Sequence, residues 1–272
     1  MPAYSTGMVD SPEAHTPAPE PVQALPANGW LALVATPIGN LEDITLRALR
    51  VLREADTIAA EDTLRALQLC RHFEIRAPVV AYHAFNEHRR TDDLLDQVAA
   101  GRRVAVLSDA GTPAVSDPGF LIVRSALGRG LEPLVIPGVS SLTFAVVACG
   151  LPVDRFCFAG FPPVKPGKRR RFLERLAGLD MTVFLFEGPH RIARLLREIA
   201  EISGPQTRVA LIREATKLHE ECCRGTAAEV LASRREDAWR GEFVVAVDWR
   251  GAEAPGEAGD PEEEAGEGSP CA

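Results

Sequence analysis

No apolar run in the sequence approaches the roughly 18 residues that a membrane-spanning helix needs. No basic stretch leads into an apolar core at the amino end. A soluble, cytoplasmic protein with no membrane partner is expected. The six cysteines include no C-x-x-C pair and no zinc-finger spacing, which argues against structural zinc and thioredoxin-like redox chemistry. Reduced core thiols are expected instead, with no metal and no disulfide. No G-x-G-x-x-G follows the first apolar run, against a standard dinucleotide fold. Gly167-Lys168 resembles the end of a phosphate loop, but Arg169 stands where Ser or Thr is required, and no glycine lies five residues before Gly167. A phosphate-loop ATPase is excluded. No internal repeat is present.

Two stretches lack bases altogether. Residues 1–28 hold three acids and six prolines, and residues 251–272 hold seven acids, five glycines and three prolines. Such composition cannot offset the entropy of ordering, so both are expected to be disordered tails. The net charge of -8 is therefore misleading: without the tails, 28 acids face 30 bases. Across the whole chain, 46% of the 272 residues are hydrophobic and 25% charged, which is ordinary for a folded globular protein.

From Trp30 onward, short apolar runs alternate with helical periodicity. Strands are expected at 30–35, 57–60, 79–82, 104–107 and 134–136, and helices at 45–54 and 140–149 among others. This pattern implies an α/β fold with a mostly parallel sheet in an amino-terminal domain, 29–150. Composition breaks at Gly150-Leu151-Pro152-Val153-Asp154. A second α/β domain, 151–250, follows, with strands at 156–159, 182–186, 209–212, 220–224 and 242–249 and helices at 168–179 and 190–202. Its last three strands lack a regular intervening helix, which implies a mixed sheet.

In open α/β sheets, ligands bind beyond the carboxyl ends of the strands. Three of those ends are rich in glycine, proline and small polar residues: Thr36-Pro37-Ile38-Gly39-Asn40, Ser108-Asp109-Ala110-Gly111-Thr112-Pro113 running on to Ser116-Asp117-Pro118-Gly119, and Pro137-Gly138-Val139-Ser140-Ser141. Any one could be ordinary turn chemistry. Together they favour a nucleotide-like ligand.

Taken together, these loops resemble the tetrapyrrole methylase superfamily. Ala60-Glu61-Asp62-Thr63, His83 with Asn86-Glu87, Glu187-Gly188-Pro189-His190-Arg191 and Arg213-Glu214-Ala215-Thr216-Lys217-Leu218-His219-Glu220 narrow the likeness. They resemble its ribosomal RNA small subunit methyltransferase I branch, across residues 30–249. The resemblance implies a two-domain class III methyltransferase fold that binds S-adenosylmethionine between the domains. It also implies methylation of the ribose 2′-oxygen of a decoding-site cytidine in 16S rRNA, and a homodimer. Pro37, Asp109, Ala110, Gly111, Ser140, Ser141 and Phe186 would hold the cofactor. One departure is visible: Leu64 stands directly after Asp-Thr, where the branch usually has Arg, and Arg65 follows.

Transfer to a hydroxyl needs alignment of the reacting atoms and help in losing the proton. Glu187, His190, Glu214, Lys217 and His219 are the candidates for that help. Each has a structural alternative: Glu187 with Arg191 could be an ion pair, and Lys217 with Glu220 or Glu221 could be surface charge. Lys165, Lys168, Arg169, Arg170, Arg171 and Arg175 lie close together, offset only by Glu174. A charge run is usually a solvated face, but bases at a helix start oppose the dipole, and this cluster is assigned to RNA phosphates. A methylase of a tetrapyrrole precursor would not need it. A non-enzymatic RNA-binding protein on the same fold would fail to bind S-adenosylmethionine.

Overall fold

A computed structural model describes residues 24–235 and 238–251. Nearly all of both expected tails, with Cys271, lies outside the described residues. The expected amino-terminal tail overreaches at Leu25, which packs against the first sheet's core.

The first half forms a five-stranded sheet in the order β3-β2-β4-β1-β5, all pairs parallel. Its strands are β1 Trp30–Val34, β2 Thr57–Ala60, β3 Val79–Ala81, β4 Arg103–Leu107 and β5 Leu134–Ile136. β1 and β2 are buried at every position, as expected of parallel strands covered on both faces. Helices α1 Leu46–Glu54 and α2 Thr63–His72 cover one face through Val51, Leu52 and Leu69. Helices α3 Glu87–Ala99 and α4 Phe120–Gly128 cover the other through Leu94, Leu95 and Ile122. Each helix starts where the sequence provides for it. Thr45 caps α1 by accepting from the Ala48 N–H at 3.0 Å, and Asp62 caps α2 by accepting from Leu64 and Arg65.

The second sheet has the order β6-β7-β10-β8-β9 and is mixed: β6 and β7 run parallel and the remaining pairs are antiparallel. Its strands are β6 Phe156–Phe158, β7 Thr182–Glu187, β8 Arg208–Arg213, β9 Glu221–Thr226 and β10 Phe243–Asp248. Alternation sorts the central strands' side chains. Val183, Leu185, Val209, Leu211, Val245 and Val247 meet α6 Pro166–Ala177, α7 Ile192–Ser203 and α8 Ala227–Ala232. Phe184, Ala210, Ile212, Val244 and Ala246 point the other way, onto α5 Ser141–Ala148. Although α5 follows β5 directly, it packs on the second sheet, so packing changes hands before the composition break at Gly150. α8 was not anticipated; a capping box between Thr226 and Glu229 starts it.

Candidate active site

Because β1 and β4 are neighbours whose following helices cover opposite faces, their end loops diverge and leave a crevice, the usual ligand position in such sheets. The two loops are tied at its floor. The Thr36 N–H donates to the Gly111 carbonyl at 2.8 Å, and the Gly111 N–H donates back at 3.0 Å. The Thr36 hydroxyl reaches the Ser108 carbonyl, and the Ser108 hydroxyl reaches the Gly111 carbonyl. The second half approaches from above. A Cβ at Gly39 would sit 2.3 Å from Lys217 Cγ, and the Asn40 N–H donates to Thr216 Oγ1 at 3.2 Å.

Between the halves lies a cleft of about 490 Å³, in the range that holds a nucleotide-sized molecule. Asp109, Ala110, Gly111, Ser140, Ser141 and Phe186 line it. Pro37 does not; it is buried and faces an adjoining cavity of about 290 Å³. One cleft wall is aromatic, with Phe161 edge-on to Phe186 at 5.5 Å between ring centres and Phe158 behind it.

The five candidate catalytic residues part company. Glu187 ends β7 with its side chain fully buried, and Oε1 accepts from the Gly188 N–H at 2.8 Å and Arg191 Nη2 at 2.6 Å. The ion-pair alternative is therefore what the structure holds, yet Glu187 also lines the cleft, and its Oε2 is buried without a hydrogen-bond partner. Glu214 and Lys217 line the cleft as a pair, 3.1 Å apart, and Lys217 reaches Glu242 at 2.8 Å rather than Glu220 or Glu221. Burial opposes ionisation of both, but hydrogen bonds prevail: the Glu242 N–H and then Lys217 hold Glu214 below the usual carboxylate range, and the Glu242 and Glu214 carboxylates raise Lys217 above the usual amine. His190 and His219 are exposed and do not line the cleft.

Three carboxylates not assigned from sequence as catalytic groups or metal ligands share the opposite wall. Glu61, at the end of β2, and Asp117 join Asp109 there. Burial, then the neighbouring Asp109, raises Glu61. Burial, Glu61 and Asp109 push Asp117 to about 6. Glu61 and Asp117 stood within the loop motifs, but their approach to each other is a product of folding. Among the described residues, no His, Cys, Asp or Glu group forms a metal site. Leu64 is exposed, and Arg65 lies between the cleft and the adjoining cavity, its Nη1 3.8 Å from Asp109 Oδ2.

The basic cluster lies on α6, which begins with Pro166 as its first-turn residue. Lys168, Arg171 and Arg175 edge an open groove with Pro163 and Glu174, and Lys165 is exposed beside them. Arg170 is exposed but bonded to Glu174 at 2.9 Å. Arg169 corrects the reading. Its side chain is 1% exposed and lies against Glu198 on α7, Nε to Oε2 at 2.6 Å. An arginine one step along a helix from an exposed one is turned by about 100°, here into the core.

The tetrapyrrole (corrin/porphyrin) methylase family model matches residues 31–231. Ribosomal RNA small subunit methyltransferase I of Halalkalibacterium halodurans is 44% identical over 223 residues, covering 82% of this chain and 77% of its own. Its namesake in Thermotoga maritima is 41% identical over 219 residues, covering 80% and 98%. The chain belongs to the ribosomal RNA small subunit methyltransferase I family. Members of this family share the tetrapyrrole methylase fold, and this one is a methyltransferase. Fold likeness extends to uroporphyrin-III C-methyltransferase of Thermus thermophilus complexed with S-adenosylhomocysteine, with TM-score 0.59, 22% identity and coverage of 81% and 98%. It extends also to cobalt precorrin-4 methyltransferase, with TM-score 0.60, 21% identity and coverage of 80% and 94%.

Proposed function

We propose that the cleft binds S-adenosylmethionine and that the enzyme methylates the ribose 2′-oxygen of a decoding-region cytidine in 16S rRNA. The identity of 44% to a ribosomal RNA small subunit methyltransferase I carries this reading. The cleft suits the cofactor. Ala110, Gly111, Ser140 and Ser141 are small enough for backbone to approach an adenosine. Phe186 and Phe161 offer ring faces and edges, and the orphaned Glu187 Oε2 is an acceptor for an amine. When bound, S-adenosylmethionine supplies an electrophilic methyl group on a sulfonium, and the acidic wall of Glu61, Asp109 and Asp117 complements that positive charge.

Lys165, Lys168, Arg171 and Arg175 would bind phosphates, with Arg170 shared between RNA and Glu174. Arg65, at the junction of the two cavities, would meet the substrate where the family's usual arginine is replaced by Leu64. The substrate is the RNA within the small ribosomal subunit, met in the cytoplasm; no helix among the described residues is long and apolar enough to cross a membrane. By family resemblance the working form is a homodimer, each chain folding as two domains.

Labelled S-adenosylmethionine, offered with small subunits that lack their native methylations, tests the reading. Label at one ribose 2′-oxygen in the decoding region is expected. Tight cofactor binding without label would overturn the RNA assignment and favour a tetrapyrrole-precursor substrate, while no cofactor binding would favour a non-enzymatic RNA-binding protein. Replacing Lys168 and Arg171 with Ala is expected to weaken subunit binding and flatten its salt dependence, sparing cofactor affinity; parallel loss of both would refute this division of roles.

A further inference from the structure

A ribose within a stacked RNA helix cannot enter a cleft between two domains, so the target nucleotide has to leave its stack. Its neighbours then lose a stacking partner, and aromatic side chains are the usual replacement. Apart from Arg65, the RNA contacts assigned above all belong to the second half, on α6 or directly before it. The first half carries a different kind of group beside the cleft.

Phe85 lies in the loop between β3 and α3 and is 99% exposed. Isolated exposed apolar side chains are common and need no explanation, but this one is held out by its surroundings. The His83 N–H donates to Asn86 Oδ1 at 2.9 Å, and Asn86 Nδ2 donates to the Ala81 carbonyl at 3.2 Å. The N–H groups of Asn86 and Glu87 both donate to the His83 carbonyl at 2.9 Å. Asn86 occupies the cap position of α3, yet its side chain makes no capping bond; its amide is spent on closing the loop. Phe85 precedes that cap, where an apolar residue commonly packs against an apolar fourth residue of the helix. Here the fourth residue is Arg90, which pairs with Asp93, so no such staple buries the ring. His83 stands edge-on to Phe85 at 6.0 Å between ring centres, leaving the phenyl presented to solvent on a fixed loop.

The loop also stands in the right place. β3 lies beside β2, whose end carries Glu61 in the cleft wall, and His83 acts electrostatically on that carboxylate. Phe85 itself is outside the cleft lining, and Arg89 is exposed in the first turn of α3. A free ring face next to an exposed cation matches an unstacked base and its phosphate. We propose that Phe85 is a stacking platform for an unpaired rRNA base next to the methylated nucleotide, with Arg89 on its phosphate; this rests on the rRNA reading above. The RNA is then held from both halves, by charge at α6 and by a ring and a cation after β3. A ring already fixed in place loses little freedom on binding, which is what the hydrogen bonds of His83 and Asn86 provide.

Subunit binding by full-chain variants tests this. Phe85→Ala is expected to weaken binding of unmethylated small subunits about 5- to 150-fold, with melting temperature and calorimetric affinity for S-adenosylmethionine unchanged. Because the lost contact is uncharged, the salt slope of binding should stay at its wild-type value, unlike that of the α6 variants. Phe85→Tyr should keep most of the affinity, and Phe85→Leu, apolar but without a ring face, should not. Trp30, Trp239 and Trp249 are buried, so the indole of Phe85→Trp reports from the surface, and its fluorescence should be quenched when subunits bind. Leu127→Ala, exposed near the end of α4, is the control and should bind as the wild type does. Wild-type subunit affinity in Phe85→Ala, rescue by Phe85→Leu or an unquenched indole would each overturn the platform. So would a changed oligomeric state of Phe85→Ala on sedimentation, which would make the ring a contact between copies of the chain. A wild-type enzyme that binds S-adenosylmethionine but no small subunit would overturn the rRNA reading itself, and the platform with it.

Discussion

Arg169 separates two roles that one basic run conceals, and Arg169→Ala tests the separation. The guanidinium joins α6 to α7 through Glu198, Nη2 to Oε1 at 2.9 Å and Nε to Oε2 at 2.6 Å. Removing one partner of a fully buried ion pair costs about 3–5 kcal/mol, because the remaining charge is left desolvated. Here Glu198 is 15% exposed and retains Arg194 at 3.0 Å. That softens the loss to about 2–3 kcal/mol, or a fall in melting temperature of about 4–12 °C for a protein of this size. Exposed Arg171 on the same helix should change stability by about 0.5 kcal/mol or less, but reduce the salt slope of subunit binding by about 0.7–0.9. Urea and thermal unfolding, alongside subunit binding at graded salt, read both quantities. Replacing the pair together, as Arg169→Met with Glu198→Leu, should recover much of the stability. An Arg169→Ala protein that melts with the wild type yet loses salt slope would refute the buried assignment and restore the arginine to RNA.

Two further perturbations probe the halves. Asp56 is held near 2, first by the side-chain hydrogen bonds of Arg103, at 2.7 and 3.0 Å, and then by its backbone N–H. A lowered folded pKa stabilises above the unfolded value of about 3.9 and is lost as pH falls towards the folded one. The gap in melting temperature between wild type and Asp56→Asn should therefore be constant from neutral pH down to about 5 and close between about 4 and 2; a gap independent of pH would count against it. Gly39→Ala would place a methyl 2.3 Å from Lys217 Cγ and 3.2 Å from the Ala215 carbonyl. Overpacking of about 1–3 kcal/mol should push the two cleft walls apart and weaken cofactor binding by calorimetry, whereas unchanged affinity and melting would show that this contact yields freely.

Local chemistry made much of the protein legible from sequence. The spacing of Leu46, Leu49 and Leu52 marked α1, although Leu46 itself stays exposed, and the run Phe243–Val247 marked a buried strand. The loops at the strand ends marked the cleft, because glycine and small polar residues are placed by backbone needs that act over a few residues. Non-local facts were decided only by folding. The run of like charge placed Arg169 among the bases assigned to RNA, but α7 offered Glu198 from 29 residues away and drew it inward. α5 follows β5 in sequence, yet its apolar residues found their partner in the second sheet. Asp117 and Glu61 lie in separate loops with ordinary turn chemistry, and only the parallel order that sets β2 beside β4 puts their carboxylates on one wall. Sequence fixes what each segment prefers over a few residues; burial and charge pairing belong to whichever segments the fold brings into contact.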